Sequence, residues 1–227
     1  MNQKVVVRFC VRELMGVAII GVALFWAADT INWLPAWAVI AVTAAWSASV
    51  FTVIMKTNPD LLAERLGPRK GAKRWDTVIM GIVGMAQLAR YIVAGLDHRH
   101  SWSGSFSPFV QGLALLLCIL GYALITWATA SNAFFSQIVR LQPERSHTVA
   151  TGGPYRRVRH PAYSGGILFD LAVPFLLGSW WALIPSGLSA LLFVIRTALE
   201  DRTLQTELEG YADYAQKVRY RLVPRLW

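Results

Sequence analysis

The sequence is cut into apolar blocks about as long as a bilayer is thick, and this constrains the fold more than any other feature. A helix needs roughly 20 mostly apolar residues to cross the hydrocarbon core. Blocks of that kind fall at roughly 11–28, 36–55, 77–96, 108–130, 162–177 and 181–199. They predict an all-α, polytopic membrane helix bundle with about six membrane-crossing stretches. Only Gly178, Ser179 and Trp180 separate the last two blocks, which makes them an antiparallel helical hairpin. The first pair is joined almost as tightly, through Asp29 to Pro35.

Composition supports lipid as the solvent. The chain has 227 residues, 55% of them hydrophobic and only 15% charged, with a mean hydropathy of +0.43. About 25% charged residues would be usual in a soluble domain. The net charge of +9 is not the footprint of a nucleic-acid binder, because its basic residues lie between apolar blocks where anionic headgroups would meet them. Cys10 and Cys118 are far apart and lack ligand-like neighbours, so neither a disulfide framework nor a zinc site is indicated. Trp26-Ala27-Ala28 lacks small residues at both positions of a cleavage site, so the first block reads as an uncleaved span.

Charge placement predicts orientation. If six spans alternate, 20 of the 22 Lys and Arg fall on one face: in the amino terminus, in 56–76, in 131–163 and in the tail from Arg196. Arg99 falls opposite and Arg90 inside the third span. The positive-inside rule then puts both termini in the cytoplasm, in the inner membrane of a bacterium or the endoplasmic reticulum of a eukaryote. Trp33, Trp37, Trp75, Trp102, Trp180, Trp181 and Trp227 lie near span ends, as an interfacial belt would. The stretch from Asn58 to Arg74 reads as interfacial and amphipathic. Gln87 and Arg90 share a face of the third span and read as structural pairing, while Asp170 in the fifth should face protein.

Polar density marks where chemistry could sit. One polar stretch, 132–163, precedes the closing hairpin, and another, 196–227, follows it. The division is an amino-terminal four-span region, 1–130, and a carboxy-terminal region, 131–227, holding loop, hairpin and tail. The first stretch contains Gln142, His147-Thr-Val-Ala-Thr-Gly-Gly-Pro-Tyr155 and Arg159-His-Pro-Ala-Tyr-Ser-Gly165. Pro161 suits the first turn of a helix, which would place His160 at its edge, where backbone N–H groups are unpaired. In the second stretch Arg196 and Glu200 are four apart on one helix face. They read either as an ion pair easing the helix out of the bilayer or as a pocket pair, the arginine holding an anionic substrate and the glutamate accepting ligand protons.

On these residues, together with Gly210-Tyr211-x2-Tyr214, the chain resembles the isoprenylcysteine carboxyl methyltransferase family and its membrane relatives over roughly 131–224. The resemblance implies a methyltransferase using S-adenosyl-L-methionine, without a soluble Rossmann domain. It implies that Gln142, His147, Thr148, Val149, Ala150, Tyr155, His160, Pro161, Ala162, Tyr163 and Glu200 line the cofactor site. It places Arg196 at the substrate, as the catalytic arginine. The tail departs from the pattern: Glu200-Asp201 stands where a Glu-Glu pair is usual, and Leu208-Glu-Gly-Tyr211 is shorter. The implied acceptor is a carboxylate on a lipidated or lipid-like molecule, with an amine or thiol as alternatives, for which His160 would be the available base. Rival readings are an NADPH-dependent membrane reductase of sterol-reductase type and a non-catalytic membrane scaffold. The sequence sets neither the acceptor nor the oligomeric state.

Overall fold

The computed structural model describes residues 3–66 and 71–227. The described residues form eight α-helices: α1 (Gln3–Ala28), α2 (Leu34–Thr57), α3 (Asp60–Leu66), α4 (Arg74–His100), α5 (Pro108–Ala130), α6 (Pro161–Leu177), α7 (Leu183–Glu207) and α8 (Tyr211–Lys217). Each of the six predicted apolar blocks is a helix, and no strand occurs among the described residues. By length and composition α2, α4, α5 and α7 are able to cross a membrane, and α6 is a shorter apolar helix. The helices carry large exposed apolar side chains, among them Val22, Met85, Phe109, Leu120, Leu171 and Ile184. In water such a surface would drive aggregation; in a bilayer it is the lipid-facing side.

Local chemistry sets the ends. Proline stands in the first turn of α2, α5 and α6, where a missing N–H costs nothing. Ser107 caps α5 by accepting the N–H of Val110 at 3.3 Å. The turn between α6 and α7 needs a left-handed residue, and Gly178 supplies it at φ +73°. α7 begins at Leu183 rather than 181 and runs eight residues beyond the predicted end at 199, so the residues after Leu199 remain helical.

The main core joins α1, α2, α4, α5 and α6 through Leu24, Ala36, Val39, Ala94, Cys118, Phe169 and Val173. α5 and α6 approach backbone to backbone at Gly121, where an added Cβ would lie 2.6 Å from the carbonyl of Gly165. One expected belt residue is instead buried: Trp33 is 4% exposed and stacks on His98 at 4.4 Å. The connection between α1 and α2 folds inward over the end of α4, which removes this ring from the interface. The amphipathic stretch forms α3, with Leu61 and Leu62 buried against Phe9, Val50 and Ile54. Arg69 and Lys70, two of its predicted basic residues, lie outside the described residues.

Candidate functional site

The two polar stretches meet at the end of α7. Successive helix positions point about 100° apart, so Glu200 and Asp201 serve different neighbours. Asp201 is fully buried and collects partners from both stretches. Arg159 grips it through Nε at 2.7 Å and Nη2 at 2.9 Å, Tyr211 donates at 3.0 Å, and Arg221 donates at 2.9 Å. The His160 Nε2 lies 3.2 Å from the same carboxylate. The remaining nitrogen of Arg159 donates to the carbonyls of Val218 and Arg219, tying down the end of α8. Backbone bonds from Arg159 to Tyr220 and from His160 to Arg221, each 2.9 Å, run the tail alongside the start of α6. Burial pulls the Arg159 guanidinium toward neutrality, but its bond to Asp201 outweighs this and raises its pKa.

Glu200 faces the other way and accepts a short hydrogen bond from the Tyr163 hydroxyl. The Tyr163 ring stacks on His160, with the planes 6° apart. Arg196 also lies over this ring, its guanidinium carbon 5.0 Å from the centroid. Of the two readings of Arg196 and Glu200, the ion pair is not formed among the described residues. Arg196 binds Asp76 at the start of α4 through Nε at 2.6 Å, and Nη2 donates to the carbonyl of Gln137 at 2.9 Å. Asp76 also accepts the N–H of Val139 at 2.8 Å, so it fastens loop, α4 and α7 together. The guanidinium is held by these bonds, while its Nη1 makes no hydrogen bond among the described residues.

The other expected site residues divide into three groups. Tyr155 and Ala162 are buried with Tyr211 and Tyr214, and Val149 and Ala150 pack against that cluster. Tyr214 donates to the carbonyl of Tyr155 at 2.7 Å, and Asn132 donates to the Tyr155 hydroxyl at 3.3 Å. Burial raises the pKa of Tyr155, Tyr211 and Tyr214, so all three phenols stay neutral donors at physiological pH. His147 and Thr148 line a cavity of about 390 Å³ together with Leu141, Glu207 and Glu209. Burial, then the charges of Arg145 and Arg140, lower the His147 pKa and keep its ring neutral.

Gln142 is fully buried and committed to the loop itself: it donates to the carbonyl of Phe134 at 2.9 Å and accepts from Arg145 at 2.7 Å. Pro161 is buried in the first turn of α6. The loop can fold this tightly because Gly153 adopts φ +53°, where a Cβ would collide with Ser131.

Sequence reasoning missed Asp76 and the roles of Arg159 and Asp201. A carboxylate entering an apolar helix should have signalled Asp76, because a buried charge demands a partner. Asp201 had appeared only as a departure in the Glu200-Asp201 pair.

Comparison with known proteins gives relatives of partial length. A probable protein-S-isoprenylcysteine O-methyltransferase from Oryza sativa subsp. indica is 27% identical over 114 residues, covering 48% of this chain and 59% of that protein. The cobalt-zinc-cadmium resistance protein CzcN of Cupriavidus metallidurans is 31% identical over 137 residues, 56% of each chain. The matches therefore span somewhat more than half the length of these relatives. A solved structure of the eukaryotic intramembrane Ras methyltransferase ICMT aligns with 96% of this chain and 85% of its own, at 16% identity and a TM-score of 0.46. The resemblance read from the polar stretches is matched at the level of the family: residues 113–206, which carry Tyr163, Arg196, Glu200 and Asp201, match the isoprenylcysteine carboxyl methyltransferase (ICMT) family.

Proposed function

We propose that this chain is an integral membrane methyltransferase that uses S-adenosyl-L-methionine and acts on the carboxylate of a lipidated or lipid-like molecule. The observation that carries the reading is the junction of Tyr163, Glu200 and Arg196, a carboxylate at the hydroxyl of one ring and a guanidinium over the same ring. The donor set suits a cationic sulfonium compound with hydroxyl and amino groups. Glu200 is half-buried, with only one oxygen bound by Tyr163, and Glu209 lines the cavity of His147 and Thr148, where Glu207 is already paired with Lys73. His147 and Thr148 of that cavity, backed by the packed cluster of Val149, Ala150 and Tyr155, would take the adenosine end. The bound cofactor would supply an electrophilic methyl group.

The residues of the chain then have to orient and desolvate. Methyl transfer from a sulfonium is an in-line displacement, so alignment of acceptor and methyl dominates the rate. A carboxylate acceptor, with a reference pKa near 4, is already ionised at neutral pH and needs no base. This agrees with the engagement of His160 at Asp201 and Tyr211, which leaves its Nε2 occupied. Arg196 would hold the acceptor through Nη1, its other nitrogens being fixed by Asp76 and Gln137. The basic segments support a cytoplasmic site, where the soluble cofactor would enter, while the acceptor would arrive from the lipid.

The test is equilibrium binding of labelled S-adenosylmethionine to purified protein, followed by transfer to a membrane extract. Glu200→Gln should lose binding by about tenfold or more, with the thermal transition unchanged. Arg196→Lys should bind the cofactor normally and lose turnover. Saturable NADPH binding without S-adenosylmethionine binding would overturn the proposal.

A further inference from the structure

A second cavity, of about 380 Å³, lies inside the bundle, walled by α1, α2, α4, α5, α6 and α7. Its charged side chains are paired. Asp170 accepts from Arg90 Nη1 and from Ser189, each at 2.5 Å, and Glu13 accepts from Arg12 and from Ser47, each at 2.5 Å. Three polar atoms of the lining residues have no partner among the described residues: the Thr43 hydroxyl, the Trp46 indole nitrogen and Arg90 Nε. All three are buried beneath the wall, so they present nothing to a guest. The surface that remains is mainly apolar, with Ile20, Ile125, Phe169 and Phe193 among its residues.

The mouth of the cavity lies between α1 and α4. Among the described residues that line it, the exposed ones are Gly16 and Ile19 on α1 and Gly84 and Leu88 on α4. The two helices are pressed together near their carboxy-terminal ends, where a Cβ added at Gly95 would lie 2.6 Å from the Cβ of Ala27. Toward the other end they part, and a Cβ added at Gly16 or Gly84 would meet nothing within 4 Å. Met15 and Met85, beside these glycines, are exposed and apolar, so the mouth opens on lipid. At its inner end the cavity reaches the proposed site: Phe193 lines it and also contacts the Tyr163 ring, with centroids 5.7 Å apart. Gly84 stands eight residues beyond Asp76, the partner of Arg196. At 1.5 Å of rise per residue, the mouth is about 12 Å along α4 from that pair.

Resting on the proposed methyltransferase reading, we infer that the acceptor's hydrocarbon chain enters sideways between α1 and α4 and lies in this cavity, passing Ile19 and Leu88 at the mouth. The wall offers no unpaired charge to a polar guest, and the opening meets lipid, so the occupant is a chain drawn from the bilayer. Gly16 and Gly84 set the width of the opening, because neither brings a side chain into it. In an extended chain at roughly 1.2 Å per bond, 12 Å is about ten bonds. A chain whose carboxylate is held at Arg196 therefore has about its tenth carbon at the level of the mouth.

The test uses full-length protein in lipid nanodiscs, without cofactor, and a labelled octadecanoate carrying a photoreactive diazirine near the middle of its chain. After illumination, mass spectrometry should find the label on Phe169, which is buried, and on Tyr122, which is half-buried, both in the cavity wall. An excess of octadecanoate should displace it. Methyl octadecanoate lacks the charge that Arg196 would hold and should displace it about tenfold less well. Gly16→Phe combined with Gly84→Phe fills the mouth and should cut the label about tenfold. Gly81→Phe, on α4 with open space but outside the lining, should leave it unchanged. A wild-type protein without displaceable label at Phe169 and Tyr122 overturns the inference without any variant, and label untouched by the double variant overturns the entry between α1 and α4. Equal displacement by the ester overturns the assignment of the cavity to the acceptor, since any bilayer chain would then fill it. Because no methyl transfer is read, displaceable label in a protein that fails to bind S-adenosylmethionine would count against the enzyme reading alone. Transfer to octadecanoate with an unlabelled cavity would count against the inference alone.

Discussion

Replacing Asp201 by Asn should release the tail while leaving the membrane helices folded. Asn keeps the size of the side chain but removes its charge, and it turns an amide N–H toward guanidinium donors. Arg159 is 7% exposed and has two of its nitrogens on this carboxylate, so it would be left a buried cation without a counter-charge. Breaking a buried pair in this way costs about 3–5 kcal/mol. The loss would fall on the docking of residues 208–227, because Tyr211 and Arg221 reach α7 through the same carboxylate. At the lower figure, local opening of the tail should become more frequent by roughly 150-fold. Hydrogen exchange read by mass spectrometry would report it at α8 and at the amides of Arg159 and His160, which donate to the carbonyls of Tyr220 and Arg221, with α2 and α5 as unaffected references. Asp201→Glu should restore much of the protection. Tail protection within about twofold of wild type in Asp201→Asn would refute the assignment of Asp201 as the group that joins the two stretches.

Three other outcomes are expected. Arg90→Met should lower the thermal midpoint in detergent by an amount equivalent to about 3–5 kcal/mol, because Asp170 remains buried and charged, whereas Arg90→Met with Asp170→Leu should recover most of that loss. Gly165→Ala should destabilise by about 1–3 kcal/mol, since its Cβ would meet the backbone of Gly121, while the adjacent Gly166→Ala has open space and should be near neutral in the same unfolding assay. His147, with its folded pKa below the ordinary value, favours folding in its neutral form. The stability it supports is fully present above about pH 6.5 and is lost as pH falls through the lower folded value. Exchange protection of residues 141–150 should therefore fall on acidification in the wild type, and this dependence should be absent in His147→Gln.

What the sequence shows and what it hides follow from the range of each interaction. Apolar blocks report on the solvent each residue meets, so the six helices and the closing hairpin were legible, but the eight extra residues at the start of α1 and the extension of α7 to Glu207 were not, because charged residues interrupt the apolar pattern there. The same logic placed Asp170 toward protein but did not name Arg90 as its partner, since the two are 80 residues apart. Arg196 illustrates the difficulty best. Spacing within one helix offered Glu200 as its partner, four residues away. The fold chose Asp76, 120 residues away, because the start of α4 packs beside α7 and its carboxylate has no water to turn to. That choice bears on the proposed chemistry: Glu200, free of Arg196, has Tyr163 as its one hydrogen-bond partner among the described residues, which under the proposed function leaves an oxygen for the ligand. A helix-local pair would have neutralised both charged groups against each other, whereas the long-range pair fixes the cation on α4 and leaves the carboxylate to Tyr163.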